Sequence, residues 1–362
     1  MIKGIVRRAV MAAVVIGAGA GVFLASSQAQ EETMEQKYKN IQVLKGLPAS
    51  QMRPMMNYIS AALGVECIAC HVKNGDEWEF DKDDKRNKQT TRKMIQMTMD
   101  LNKNSFEGKM EVTCYTCHQG LAHPGSVPPL PRAAAPEATR AGGPWPTPNK
   151  VLDKYIAAIG GKEALEKIRT RQIKGVSVAA NGQSFPLEIV YGGSDKLALT
   201  VSLPNGETSQ KLNGSEGWLK SARDDRAMDS IELNKIRSLA SSLDPLPFRE
   251  PYPRMAFGGT EKINGRDTLI LRQNLPDKRR ARYFFDAETG LLVRRIIQAE
   301  TIIGIDPELT DYEDYREVDG VKMPFTIKTS YLDRFYSSTR KFSEVRNNAT
   351  IDETRFALPA KK

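Results

Sequence analysis

The sequence predicts a multidomain α + β protein, with a mainly α N-terminal domain followed by an antiparallel β half-barrel that carries a helix. Three observations predict it. Up to about residue 120 the apolar residues recur at helical spacing. From Pro124 to Pro148, eight prolines with Ala and Gly preclude a helix or internal strand and favour a semi-rigid extended spacer. Beyond it the period shortens to two, punctuated by Xaa-Gly turn signals. The expected boundaries are a signal peptide at 1–29, the α domain at 30–123, the linker at 124–148 and the β domain at 149–362. A chain of 362 residues with 40% hydrophobic content supports two cores.

The N-terminus reads as an export signal. Lys3, Arg7 and Arg8 form a positive n-region, residues 9–24 an apolar run, and Ser27-Gln28-Ala29 a small-x-small cleavage site. Arg7-Arg8 lacks the flanking pattern of a twin-arginine signal. The apolar run is marginal for a bilayer span, so cleavage and a periplasmic location are expected; an uncleaved segment would hold the protein at the membrane. The formal charge of +9 is interleaved with acidic residues, a basic surface suited to an acidic partner. No aromatic-interleaved basic motif or zinc-finger spacing appears, which argues against nucleic-acid binding.

In the α domain, Ser50 is the expected N-cap of a helix with Pro54 near its first turn. Met52, Met56, Ile59 and Leu63 recur on one face, and Gly64 stands where a left-handed C-cap is wanted. A second helix over about 90–102 sets Met94, Met97 and Leu101 on one face and Ile95 and Met99 on another. Residues 74–93 are dense in both charges. They are expected to form a solvated loop and helix start, with a docking surface for a redox partner as the alternative.

Each helix leads into the same motif, Cys67-Ile68-Ala69-Cys70-His71 and Cys114-Tyr115-Thr116-Cys117-His118. C-x-x-C-H is the attachment signature of c-type haem. Two thiols add across the porphyrin vinyl groups, and the adjoining histidine turns its imidazole onto the iron. Two intervening residues set the sulfurs at the required separation on a helical turn. The chain has four cysteines and three histidines, and the two motifs use all but His123, which argues against ordinary buried thiols, zinc or disulfides. Two covalently attached c-type haems are expected. Cys67, Cys70, Cys114 and Cys117 are the thioether residues, and His71 and His118 the proximal iron ligands.

Each iron then needs a sixth ligand or an open position. His123 could serve one iron at most and stands before Pro124 in a loop. Methionine is the natural alternative, since a thioether opposite histidine raises the reduction potential. Met52, Met55 and Met56 precede the first motif; Met94, Met97 and Met99 precede the second. Met at helical spacing is ordinarily core filler, but its recurrence before both motifs points to one ligand per helix.

Residues 40–118 resemble one dihaem half of the photosynthetic reaction centre cytochrome c subunit family. The resemblance is carried by Asn40-Ile41-Gln42-Val43-Leu44, Met56-Asn57-Tyr58-Ile59-Ser60 and the first motif. Thr91-Arg92-Lys93-Met94, Met97-Thr98, Leu101-Asn102, and Val112-Thr113 with the second motif and Gln119-Gly120 complete it. It implies Met56 as distal ligand of the first haem and Met94 of the second, with Met97 as the alternative. The family's subunit typically carries four haems and a lipoprotein cysteine; this chain has two motifs and lacks that cysteine.

The β domain opens with an amphipathic helix pair over 149–168 around Gly160-Gly161, with Val151, Tyr155, Ile156 and Ile159 as its stripe. Strands are expected at 173–178, 187–191, 197–201, 268–272, 281–285, 291–298 and 323–331, and a helix at about 231–243. Hairpin turns are expected at Asn181-Gly182, Asn205-Gly206, Asn213-Gly214, Asn264-Gly265, Thr289-Gly290 and Asp319-Gly320. Asp286 to Val293 and Asp319-Gly320-Val321-Lys322-Met323-Pro324 resemble LolA-like outer-membrane lipoprotein carriers. That resemblance implies a half-closed barrel around a helix and a lipophilic ligand in its cleft, with a plain scaffold as the alternative. The domain holds no His or Cys, no nucleophile elbow and no phosphate loop, so no catalytic constellation is expected.

These features point to a periplasmic dihaem c-type cytochrome that carries single electrons, and not to an enzyme. Its partner would be a redox protein or a membrane electron-transfer complex. The rivals are a dihaem peroxidase-type enzyme with one open iron, and a lipid- or lipoprotein-binding module with accessory haems.

Overall fold

A computed structural model of the chain describes residues 31–127 and 145–359, apart from 223, 245, 249–252, 276 and 333–336. The expected signal peptide and most of the expected linker lie outside the described residues. Among those described, no helix is long and apolar enough to cross a membrane.

The N-terminal lobe is mainly helical, with α1 (Met34–Lys37), α2 (Met52–Leu63), α3 (Arg86–Ser105) and α4 (Cys114–His118). A short antiparallel hairpin, β1 (Val72–Asn74) and β2 (Glu77–Glu79), lies between α2 and α3. Sequence pattern did not reveal this hairpin, because three-residue strands carry too little periodicity. Ser50 is not an N-cap. It sits inside a 3₁₀ turn, Ala49–Gln51, that leads into α2, and Gln51 takes the cap position. The buried face of α2 is also rotated from the expected one, being formed by Met55, Tyr58, Ile59 and Ala62. Met52, Met56 and Leu63 lie on its flank, partly buried.

The C-terminal domain is one open sheet of 13 antiparallel strands. From β3 (Arg171–Ala179) the chain meanders outward through β4 (Ser184–Tyr191), β5 (Lys196–Leu203), β6 (Gly206–Asn213), β7 (Glu216–Lys220) and β8 (Asp225–Ala227). Helix α7 (Ser230–Leu243) then carries it to the opposite edge, β9 (Ala256–Ile263). A second meander returns through β10 (Arg266–Asn274), β11 (Arg280–Asp286), β12 (Leu292–Thr301), β13 (Gly304–Val318), β14 (Val321–Ser330) and β15 (Ser338–Asn347). β15 pairs with β3 and joins the two meanders, while β8 and β9 remain edges, so no barrel closes.

All six expected turn sites connect neighbouring strands. At Asn264-Gly265 and Asp319-Gly320 both residues have positive φ, as a two-residue hairpin turn matched to strand twist requires. The helix pair α5 (Pro148–Ala158) and α6 (Lys162–Glu166) packs with α7 in the domain core. Thr147 caps α5, and Val151, Leu152, Tyr155 and Ile156 are buried there. β13 escaped the sequence pattern because it is rich in Asp and Glu. Its acids are neutralised across the sheet: Arg294 binds Asp311 bidentately at 2.6 and 3.1 Å, and Lys328 binds Glu313 at 2.7 Å.

The turn between β12 and β13 reaches into the N-terminal lobe. Ile303 is wholly buried in one cluster with Met34, Leu44, Met55, Tyr58, Ile59, Ala62 and Ile95. Gly304 lies against the hydroxyl end of the Tyr58 ring, and a Cβ there would fall on the ring atoms. Gly304→Val is therefore expected to lower stability by about 2–3 kcal/mol through over-packing. Ile302→Ser, at an exposed position of the same turn, is expected to be nearly neutral. Thermal unfolding of the full-length protein reads both; an unchanged melting temperature for the Gly304 variant would show that this contact does not hold the lobes together.

Candidate haem-binding site

The first motif follows α2 directly. Gly64 ends the helix at φ +63°, its N–H donating to Ser60 O. Cys67–Ala69 then form a 3₁₀ turn in which the His71 N–H donates to Cys67 O at 2.9 Å. The start of α3 braces this turn. Asn87 Nδ2 donates to Ala69 O at 3.2 Å, Lys85 Nζ donates to Ile68 O, and Thr91 Oγ1 lies 3.8 Å from Cys70 Sγ.

The second motif is α4 itself, one helical turn capped by Thr113, whose hydroxyl accepts from Thr116 N–H. Asn102 sets its position from α3. The buried Asn102 donates from Nδ2 to Val112 O at 2.7 Å and accepts at Oδ1 from Glu111 and Val112 N–H at 3.1 and 2.9 Å. The motifs are also tied to each other, since Gly120 N–H donates to Ala62 O at 2.9 Å. A Cβ on Gly64 would meet the Gly120 carbonyl, and its left-handed conformation independently favours glycine.

The two histidines differ in their surroundings. His118 Nδ1 lies 2.9 Å from Leu121 O. A carbonyl only accepts, so Nδ1 donates to it and Nε2 is the nitrogen left to face a ligand. His71 is half-buried, with no hydrogen-bond partner at Nδ1, and packs edge-on to Phe80 at 5.1 Å. Burial pushes its imidazole below the ordinary value, and Lys88 adds to this.

All four cysteines are free. Among the described residues, no group of three or more His, Cys, Asp or Glu gathers as a metal cage. The lobe instead exposes large apolar side chains in and around the motifs: Ile68 at 46%, Phe80 at 56%, Tyr115 at 54% and Leu121 at 58%. Met94, Met97 and Leu101 are exposed along one face of α3, while Ile95 and Thr98 are buried. A soluble domain rarely leaves so much apolar surface without something to cover it. Free thiol pairs, an imidazole with a free nitrogen and this uncovered surface fit a large planar apolar group attached at each motif.

Part of the charged stretch over 74–93 is not a solvated loop. The half-buried Asp83 binds Lys88 and Arg92, each at 2.8 Å. Lys88 is buried and also donates to Phe80 O and Lys82 O. Arg92 also donates to Asn40 O at 3.0 Å, so this network latches the loop to α3 and to the lobe's N-terminal segment. Charge density alone does not distinguish a latch from solvated charges, because partners are set by tertiary contact.

Two substitutions test this scaffolding. Asn102→Leu keeps the volume but leaves the N–H and C=O of Val112 unpaired, while Glu111 N–H keeps Lys109 O at 3.0 Å, so a loss of about 2–4 kcal/mol is expected on thermal unfolding. Asp83 is held well below the usual carboxylate range, first by Arg92 and then by Lys88. Its contribution is fully present above the unfolded pKa of about 3.9 and is lost as pH falls through the depressed folded value. Acid unfolding of Asp83→Asn is expected to be less steep below about pH 4 than that of the parent. Parallel acid profiles for the two proteins would remove the latch from the account of stability.

With the geometry in place, known proteins can be compared. Residues 18–143 match the family described as "Photosynthetic reaction centre cytochrome C subunit". The photosynthetic reaction center cytochrome c subunit of Roseobacter denitrificans is 32% identical over 104 residues, covering 27% of this chain and 28% of that protein. The chain thus matches well under half the length of that curated relative. In fold, a LolA superfamily protein from Nitrosomonas europaea is similar over 58% of this chain and 97% of its own, at 12% identity and TM-score 0.38. A DUF1329 family protein from Desulfovibrio piger is similar over 58% and 96%, at 11% identity and TM-score 0.37. The segment that carries both motifs is therefore similar to the reaction-centre type of cytochrome c subunit, and the large sheet lies wholly outside that match.

Proposed function

We propose that the N-terminal lobe is a two-haem electron-transfer unit. The observation that carries this is the pair of C-x-x-C-H turns tied together through Gly64, Ala62 and Gly120, with uncovered apolar surface around them. A c-type haem, when bound, supplies reversible one-electron iron chemistry. Cys67 and Cys70 would hold one, with His71 on its iron; Cys114 and Cys117 would hold the other, with His118. The Leu121 carbonyl fixes the His118 tautomer and ring orientation, the usual role of an outer partner to a metal-bound histidine.

Met56 and Met94 are proposed as the distal ligands, with Met97 as the alternative at the second site. Met56 lies at the edge of the buried face of α2, and Met94 and Met97 on the uncovered face of α3, so none is committed to the centre of the core. Met55, fully buried, is committed to the core and unsuited to the role. Filled coordination at both irons makes the protein a carrier of single electrons between redox proteins or into a membrane electron-transfer complex, in the periplasm.

Met56→Ala and Met94→Ala are each expected to lower one reduction potential, on the order of 0.1 V within the ~0.8 V range that axial ligands control. Met97→Ala should leave both unchanged. Potentiometric titration with optical detection resolves the two steps. If neither substitution moves a potential or a spin state, the assignment is wrong. A high-spin, peroxide-reactive iron in the parent protein would favour the peroxidase-type enzyme instead.

A further inference from the structure

The sheet domain contains a polar cavity that the electron-transfer reading does not use. It measures about 130 Å³ and lies between α7 and the sheet. Strands β12, β13 and β15 contribute Arg295, Glu308, Thr310 and Arg340, and α7 contributes Lys235. Tyr331 closes one side, with Lys235 Nζ over its ring at 4.4 Å.

Two polar groups in this lining are buried without a partner. Thr310 is 2% exposed, and its hydroxyl makes no hydrogen bond. Arg295 is 5% exposed, and its Nε makes none, although its other nitrogens bind Ser238 and Glu308. Buried donors left unmade are costly, and their remedy is a ligand atom that accepts.

The charges point the same way. Lys235, Arg295 and Arg340 place three cations around the cavity, against Glu308 in the lining and Asp306 beside it. Glu308 is already occupied: Ser238 Oγ donates to it at 2.6 Å, Arg295 at 3.3 Å and Tyr331 OH at 3.3 Å. One carboxylate therefore stands against the two guanidinium groups of Arg295 and Arg340, which leaves net positive charge in the lining for an incoming anion. Burial also pulls the Arg340 guanidinium below its ordinary pKa, only partly offset by Tyr331 and Glu308.

We propose that this cavity is an oxyanion site that takes a carboxylate or phosphate group, with Arg340 as its main charge partner and Thr310 donating its hydroxyl. Arg295 also lines a second cavity of about 230 Å³, with Tyr155, Phe248, Tyr283 and Leu292 in its wall. The anion can therefore come free or as the head of an amphiphile whose apolar part lies in that second cavity.

The test is thermal shift and calorimetric titration of the full-length haem-loaded protein with inorganic phosphate, octyl phosphate and octyl glucoside. A saturable rise in melting temperature with either phosphate supports the site. Equal affinity for the two identifies free anion as the source; response to octyl phosphate alone identifies a headgroup. Arg340→Gln is expected to weaken binding at least tenfold and Thr310→Val severalfold, while Arg340→Lys retains most of it. Haem spectra and potentials should not change in any variant, which separates this site from the electron-transfer reading. Octyl glucoside binding as tightly as octyl phosphate, no saturable response to either phosphate, or full affinity in folded Arg340→Gln would each overturn the proposal.

Discussion

The contact on which the rest depends is Tyr58 against Gly304. Tyr58 comes from the helix that delivers the first motif, and Gly304 from the hairpin of the sheet domain that reaches across to it. The ring has room only because residue 304 has no Cβ. Its hydroxyl meanwhile lies 3.4 Å from the Tyr115 N–H, within the second motif. One side chain therefore touches the sheet domain, the α2 core and the second C-x-x-C-H turn. The lobe's own buried apolar side chains are few, and a domain of this size buries proportionally little surface. Ile303, fully buried, completes that core from outside. A sheet domain far larger than the lobe thus supplies something the lobe lacks: the last wall of its interior.

Within the lobe, order passes from core to motif through backbone contacts. Gly64 and Gly120 approach too closely for any side chain between them, so the end of α2 and the tail of α4 are fixed together. Asn102 saturates three backbone groups just before Cys114, and Asn87 and Lys85 reach the carbonyls of the first turn. α3 is thus a shared brace, gripping the first motif near its start and the second near its end. Preorganisation of this kind matters for electron transfer because ligands held in place need little rearrangement when charge changes.

Much of this was legible in the sequence, for physical reasons that differ by element. The two C-x-x-C-H motifs were visible because they are defined by residue type and spacing alone. The turns at Asn264-Gly265 and Asp319-Gly320 were visible because positive φ restricts residue choice. Helix existence followed from periodicity, but the phase of α2 did not: Met52, Met56, Ile59 and Leu63 form a good stripe, yet Met55, Tyr58 and Ala62 are what the core buries. Composition cannot choose between adjacent apolar faces when both hold apolar residues. β13 was hidden because its carboxylates look solvated until Arg294 and Lys328 are seen beside them. Tyr58, Asn102 and Gly304 carry no local signal of their roles, since each acts on residues distant in sequence.

The hairpin of β12 and β13 then acquires a double meaning. Its turn fills the core of the N-terminal lobe through Ile303, while its interior residues Arg295, Glu308 and Thr310 line the polar cavity. Thr310 lies seven positions on from Ile303, about 23 Å along a strand. The pairing between these strands runs unbroken from Arg294↔Asp311 to Thr301↔Gly304. A paired ribbon of that length moves as a unit, so a displacement at the cavity would be felt at Tyr58. Contact alone does not make the sites communicate, because coupling requires that a ligand favour one of two arrangements of the hairpin. The close seat of Tyr58 on Gly304 leaves little room for a second arrangement, which favours a buttress over a switch.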